Sequence, residues 1–500
     1  MFGIPTFTIL LGLVLNVSGG KILGIFHIPG YSHSIIPQLI VDRLAKRGHE
    51  ITTISSYPIN LSNNHHRNIQ ISVNLSENIV MRELTGLENK SVLTKLKFLL
   101  NIGITVNENC LNHTSVQNLL SSNEHFDLVI LDWTLSEAML GFAHHFKAPI
   151  VLISTIGSTL FSNKVTTNPS PYSYVSNLFV NSIGNMIFLE RVVNTLSSIA
   201  LEVNEYFHNE PAQDLQLHQY FPDTPSLQDL MVNVSLVLLN SHLTTESIRP
   251  YVPNMIQVAG LQIQSLKPLP EELQTFMDDA HEGFIYFSLG GNINSTRLPR
   301  NKLKVIIETF KKLPLKVVWK LESNIFDLPP NIKVEKWIPQ HDVLAHPNLK
   351  VFLTHGGLFS TIEAIYHKVP MVGIPCYLDQ RGNIKYGIHR GYSIMIELDK
   401  LTKKNLYNAV MDVATNRKYK ENIKKYSSWL RDQPISPVNL TLFWTEYVLR
   451  HKGTAYLQTD AAKLKWYQYF LLDIVLFLMG ITFVLCYVVF KIGIVLRNVF

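Results

Sequence analysis

Cysteine is nearly missing from this 500-residue chain, which has three. Cys486 sits in an apolar tail, and Cys110 and Cys376 are far apart in sequence, so no disulfide framework is expected and stability must come from ordinary cores. Charge is sparse too, at 16% of residues. The 44 Lys and Arg against 38 Asp and Glu are scattered rather than gathered into a basic tract, which argues against nucleic acid as a partner. There is no Asp-x-Asp cluster and no His/Cys ligand spacing of the kind metal sites need, so neither a metal nor another cofactor is expected.

What is plentiful is apolar sequence, 46% of the chain, enough at this length for two domains with full cores plus membrane segments. Phe2 to Val17 followed by Ser18 and Gly19 has the form of a cleaved secretory leader (1–19), although no Lys or Arg precedes it; a retained anchor is the alternative. Asn60, Asn74, Asn89, Asn112, Asn233, Asn294 and Asn439 each open an Asn-x-Ser/Thr sequon, as in a translocated glycoprotein. Near the other end, Phe470 to Phe490 is apolar apart from Asp473 and is entered through Trp466, Tyr467 and Tyr469. That reads as one membrane span (467–490), with Lys491 and Arg497 on a short cytosolic tail (491–500) and the body luminal.

Between these ends, short apolar runs alternate with helix-length segments. Strands are predicted at Lys21 to Phe26, Glu50 to Ser55, Phe126 to Trp133, Ala148 to Ser154, Val234 to Asn240 and Ile256 to Val258. After a linker at Lys267 to Pro270 come Phe284 to Leu289, Lys316 to Lys320, Ile332 to Lys336, Lys350 to Leu353 and Met371 to Ile374. The expected fold is α/β: two Rossmann-like domains (20–260 and 261–450) with parallel sheets facing across a cleft, a helix from Val438 to Arg450 returning over the first domain, and a membrane-proximal segment (451–466). Leu61 to Asn123 shows little strand pattern.

The stretch from Trp337 to Asn383 carries the most chemistry. Gly356 and Gly357 follow a strand and precede a helix, so backbone N–H groups and the positive end of the helix dipole can seat a phosphate. His355, Ser360 and Thr361 add hydrogen-bond donors, and the Ser288-Leu289-Gly290-Gly291 turn is a second phosphate-facing loop. Trp337 offers a face for a base, Gln340 suits the edge of an amide-like base, and Glu363 can accept from a pair of ribose hydroxyls. Asp379 and Gln380, after the next strand, can read sugar hydroxyls.

In the first domain the spacing predicts a helix from Ile36 to Arg47, leaving Tyr31-Ser32-His33 on the loop before it, facing the crevice. His33 there reads as a catalytic base or as an ordinary loop histidine; His27 is a competitor, but it follows the strand at once. A base needs a partner to fix its tautomer. Asp132 ends a strand on the same sheet edge as His33, whereas Asp127 starts that strand on the opposite edge. The plainer alternative is that Asp132 caps the helix after it.

The spacing of Trp337, Pro339-Gln340, Asp342, His346-Pro347, Thr354-His355-Gly356-Gly357, Glu363, Pro370, Asp379-Gln380 and Asn383 resembles the signature of the membrane-bound UDP-glycosyltransferases, in an invertebrate-like form. The resemblance implies the GT-B fold, His33 as base with Asp132 as its partner, and a UDP-sugar as co-substrate. It also implies a variable acceptor pocket, expected as an apolar cleft lined from within Phe161 to Phe221. The implied reaction is inverting, metal-independent transfer of a hexose, glucose first, to a hydroxyl of a small lipophilic acceptor, in conjugation or detoxification at the endoplasmic reticulum membrane, by a homo- or hetero-oligomer. The alternatives are UDP-glucuronate as donor, an endogenous lipid or glycan acceptor, and a non-catalytic sugar-nucleotide binder. Two positions depart from the family pattern: Lys368 stands where Gly is usual, and Gly291, where Ser is usual, removes a hydroxyl from the phosphate loop. The usual dilysine-type signal is missing from the tail.

Overall fold

The computed structural model describes residues 19–59, 61, 65–72, 91–180, 182–291, 298–322 and 328–499. The expected leader, apart from Gly19, and the sequons at Asn60, Asn74, Asn89 and Asn294 lie outside them; Asn112, Asn233 and Asn439 are exposed.

The apolar runs become strands because each sheet is covered on both faces, so nearly every side chain along the central strands is buried. Leu128–Asp132, for example, is buried throughout. The first sheet comprises β1 (Lys21–Phe26), β2 (Glu50–Ser55), β3 (His66–Gln70), β4 (Leu128–Asp132), β5 (Ile150–Ser154), β6 (Leu236–Leu239) and β7 (Met255–Gln257), in the order 3-2-1-4-5-6-7. The second comprises β8 (Phe284–Ser288), β9 (Lys316–Lys320), β10 (Ile332–Glu335), β11 (Leu349–Thr354), β12 (Met371–Gly373) and β13 (Ser393–Met395), in the order 10-9-8-11-12-13. All neighbouring strands are parallel. Strand order reverses between β1 and β4 in one sheet and between β8 and β11 in the other, and ligands of open α/β sheets bind outside the carboxyl ends of strands at such points.

Of the helices, seven matter below: α1 (Tyr31–Lys46), α2 (Val92–Leu111), α3 (Phe188–Asn204), α4 (Leu358–Tyr366), α5 (Gln380–His389), α6 (Pro437–His451) and α7 (Leu472–Val499). The return helix α6 packs on α1, and Glu446 of α6 accepts from Arg47 at 2.8 Å, which ties the chain's late segment to its first domain.

Several boundaries differ from expectation. α1 begins at Tyr31, not Ile36, because extended Gly30 caps it; His33 therefore stands in the helix's first turn rather than on a loop. Pro37 lies inside α1 and supplies no N–H to the carbonyl of His33. The region from Leu61 to Asn123 contains β3, an edge strand with half-exposed polar residues, and the long helix α2. β13, only three residues, had no periodic signal. At the C-terminus a short helix, Trp466–Tyr469, is separated from α7 by Leu471 in a left-handed conformation, and α7 continues through Lys491 and Arg497 to Val499. Among the described residues α7 is the one helix long and apolar enough to cross a membrane, by length and composition.

Candidate active site

Both reversal points open onto one cleft of about 410 Å³, which takes in His33, Ser288, Trp337, Gln340, His355, Gly357, Ser360, Glu363, Asp379 and Gln380. A wider hollow at the opposite edge of the first sheet, beside Asp127 and Glu446, contains none of them.

His33 and Asp132 meet across the β1/β4 reversal, with His33 Nδ1 2.9 Å from Asp132 Oδ2. Asp132 is fully buried, and its other oxygen accepts from Thr134 Oγ1 at 2.8 Å. Thr155 Oγ1 also approaches Nδ1, at 3.2 Å. The carboxylate thus holds the proton on Nδ1, and Nε2 keeps its lone pair for a substrate. Burial alone would depress the imidazole's pKa. The charge of Asp132, its hydrogen bond, and the charge of Asp379 across the cleft outweigh burial and raise it. His27, the competing candidate, is buried and bonded to Asn107 Oδ1 at 2.8 Å, and its basicity is lowered, by burial first. Asp127, at the strand's other end, accepts from the backbone N–H of Lys21 at 2.7 Å.

The second reversal point supplies two glycine turns. Gly290 (φ +85°) and Gly356 (φ +84°) hold left-handed conformations that favour glycine, and the His355 ring is packed between Gly290 and Gly357, where a Cβ on either would come within 2.7 Å of it. Burial and the nearby Lys320 charge hold His355 down to about 4, so it is neutral. Gly357 caps α4, whose first N–H groups have no helical partners. Asn383 Nδ2 fixes the turn by donating to the carbonyl of Gly356 (3.0 Å) and to Asp379 Oδ2 (2.7 Å). Ser288 Oγ accepts from the N–H of Gly290 at 3.1 Å.

Gln340 Nε2 donates to Glu363 Oε2 (2.7 Å) and Ser360 Oγ (3.1 Å), joining three of the expected residues. Burial pushes the Glu363 carboxyl up to about 7. Trp337 is 59% exposed, with the Tyr31 ring edge-on at 5.3 Å and Lys320 Nζ 5.7 Å above its ring.

Gln380 keeps its expected place in the cleft and has a further role, and two other expectations need correction. Gln380 serves partly as a local brace: its Oε1 accepts from the N–H groups of Cys376 (2.8 Å) and Tyr377 (3.2 Å). Thr361 donates back to the carbonyl of Gly357 at 3.1 Å, a bond within its own helix rather than a ligand contact. The apolar lining of the cleft does not come from Phe161 to Phe221; it comes from Ile28, Leu135 and Ile156 and from Leu99, Ile102 and Val106 of α2. Its periodic apolar positions gave α2 no distinguishing mark as a pocket wall.

Two cleft residues were missed. Tyr31 crosses from the first domain to lie against Gly291 and Trp337 of the second. Lys320, 7% exposed, donates to the carbonyl of Gly290 and to Glu322, each at 2.8 Å. The available signal was a lysine closing the apolar strand Lys316–Lys320 on the edge that carries Ser288. Among the described residues, no three of His, Cys, Asp and Glu gather so as to hold a metal ion.

A family model described as UDP-glucoronosyl and UDP-glucosyl transferase matches residues 20–499. UDP-glucosyltransferase 2 of Dactylopius coccus is 32% identical over 481 residues, covering 95% of this chain and 93% of that one. UDP-glucuronosyltransferase 1A5 of Rattus norvegicus is 30% identical over 509 residues, covering 98% and 94%. Among solved structures, the calicheamicin glycosyltransferase CalG4 has the same fold, with a TM-score of 0.57 at 18% identity, covering 86% of this chain and 99% of that one. The two facing parallel sheets are thus the expected GT-B arrangement.

Proposed function

The chain belongs to the family of UDP-glucuronosyl and UDP-glucosyl transferases, and from that premise we propose that it transfers glucose from UDP-glucose to a hydroxyl of a small lipophilic acceptor, with inversion and without a metal. The enzyme is a UDP-glycosyltransferase. The observation that carries the finer reading is the His33–Asp132 pair at 2.9 Å, facing the glycine turns across the cleft.

His33 Nε2 takes the acceptor's proton as its oxygen forms a bond to the anomeric carbon, and the bond from that carbon to the β-phosphate oxygen breaks with its electron pair going to UDP. The imidazolium that forms is balanced by Asp132 and then loses its proton to solvent. Backbone N–H groups at the start of α4 lie where the departing phosphate gains charge, and neutral His355 can donate a hydrogen bond there. Trp337, Gln340 and Glu363 suit the base and ribose.

Glucose is favoured over glucuronate by charge. The nearby cations are already engaged, Lys320 with Glu322 and Arg381 with Glu397. The lipophilic acceptor rests on the α2 lining. With α7 as a candidate span, the reading extends to conjugation at the endoplasmic reticulum membrane with a luminal body.

The test is turnover by membranes containing the protein, with UDP-glucose against UDP-glucuronate over a panel of phenols and lipophilic alcohols, and with His33→Ala as control. Glucose transfer to a β-glycoside, lost in the variant and insensitive to a chelator, is expected. Preference for glucuronate, or an α-glycoside product, would overturn the respective part.

A further inference from the structure

Seven described residues other than glycine hold a left-handed backbone, which sterics disfavour for any side chain. Five of them, Lys147, Thr167, Lys368, Lys452 and Leu471, stand at or just after the end of a helix, where such a residue closes the last turn. Leu135 (φ +55°) and Leu378 (φ +49°) do not, and both line the cleft. Leu378 precedes Asp379 in the donor half, whereas Leu135 belongs to the loop that follows Asp132 at the end of β4. A strained residue persists only where its surroundings over-determine it, and such residues gather at active sites and ligand clamps.

What holds Leu135 is a frame of buried amides. Its carbonyl accepts from Asn107 Nδ2 of α2 (3.3 Å) and from Gln213 Nε2 of the helix Glu210–Tyr220 (3.2 Å). Gln213 Oε1 accepts in turn from Asn107 Nδ2 (3.1 Å) and from the N–H of Ala138 (3.0 Å), while Asn107 Oδ1 is the partner of His27. Both amide side chains are fully buried, so each needs these bonds to offset its desolvation. Helix α2 passes against the same point through Gly103, where a Cβ would lie 2.7 Å from Leu135 Cβ and 2.8 Å from its carbonyl oxygen.

This frame is separate from the bonds that orient the carboxylate. Asp132 is fixed within its own loop: Ser136 Oγ donates to its carbonyl (2.7 Å) and Thr134 Oγ1 to its Oδ1 (2.8 Å). Leu135 follows Thr134, which thus touches the catalytic pair, and it abuts α2, which supplies Leu99, Ile102 and Val106 to the cleft. Its side chain is partly exposed there.

We infer that Leu135 is a specificity-determining residue, limiting the bulk of the acceptor that reaches His33, and that Asn107 and Gln213 are positioning residues that hold it in place. This rests on the reading of a lipophilic acceptor lying on α2. An acceptor with its hydroxyl at His33 Nε2 and its body on that lining must pass Leu135. An apolar pocket discriminates by about 10–200-fold for one methylene, and a leucine fixed by its backbone cannot withdraw to admit a larger group.

The test compares 4-methylphenol with 4-phenylphenol on the full chain in membranes or detergent, for the parent, Leu135→Ala, Leu135→Phe and Asn107→Ala. Calorimetric binding to the UDP-loaded protein and kcat/KM with UDP-glucose are both read. Leu135→Ala should raise the ratio of 4-phenylphenol to 4-methylphenol by at least ~10-fold, Leu135→Phe should lower it, and Kd for UDP should stay at the parent value. Asn107→Ala, with the leucine intact, should move the ratio in the same direction as Leu135→Ala, and a ratio at the parent value would remove the positioning role. General destabilisation would reduce both phenols alike. A parent that binds both phenols with a ratio unmoved by either Leu135 variant overturns this inference alone; a parent that binds neither overturns the lipophilic-acceptor reading and this inference with it.

Discussion

Tyr31 and Gly291 touch across the domain boundary so closely that a Cβ at position 291 would lie 2.9 Å from Tyr31 Cδ1 and 3.3 Å from its Cβ. The contact is at the root of the ring, whose edge is already set against Trp337, so the ring cannot simply swing aside. The departure of Gly291 from the family's usual Ser is matched by this neighbour. Gly291→Ser should therefore lower the stability of the protein, by an overpacking cost of about 1–3 kcal/mol. Adding Tyr31→Ala should recover part of it, and a calorimetric double-mutant cycle showing no coupling would refute the clash.

The His33–Asp132 pair sets the acid limb of the pH profile. Below its pKa His33 already holds the proton it must receive, and its raised pKa places the fall in kcat/KM at a higher pH than an isolated imidazole would give. Asp132→Asn should move that limb to lower pH and reduce kcat; His33→Ala should lower kcat by about 10²–10⁴-fold with UDP affinity nearly unchanged. Steady-state profiles beside UDP titrations separate the two effects.

Glu363 should make nucleotide binding pH-dependent. Its carboxyl, pushed up to about 7, is ionised above that pH and neutral below it, so a ribose hydroxyl loses a charged acceptor as pH falls through 7. Such a bond is worth about 1.5–3 kcal/mol, so UDP affinity should drop roughly tenfold or more between ~pH 8 and ~pH 5.5. Glu363→Gln should flatten that dependence, which calorimetry at several pH values would reveal.

Lys368 occupies a position built for glycine. It follows the C-cap of α4 with φ +61°, while Val369 N–H bonds to the carbonyl of Ala364 (2.9 Å) and Lys368 N–H to that of Ile365 (3.1 Å), a Schellman motif. The left-handed backbone costs a non-glycine residue about 1–2 kcal/mol, partly offset by the unfolded-state entropy that glycine adds. Lys368→Gly should then stabilise by about 0.5–1 kcal/mol, and Lys368→Val should destabilise; a denaturation midpoint for Lys368→Gly below that of the parent would sink this account.

Most of the cleft's residues could be placed from the chain itself. Continuous apolar strands separated by helix-length segments leave few arrangements other than parallel sheets, and in a parallel sheet every strand's carboxyl end lies on one edge. That places Asp132 rather than Asp127 with His33, and Ser288 with His355, before any coordinates are seen. The glycines of both turns are local requirements, and so are legible too. Three-dimensional packing decided what local pattern cannot express. The spacing opens a helix at Ile36, yet α1 starts five residues earlier at Tyr31 because Gly30 caps it. The apolar residues of α2 became cleft wall and those of α3 became exposed surface, although both helices carry similar side chains. Which face meets the body depends on the partners across it, and on where Asn194 and Ser198 find their hydrogen bonds. The meeting of Tyr31 with Gly291, 260 residues apart, depends on how two separately folded sheets close on one another, which no periodicity within either records.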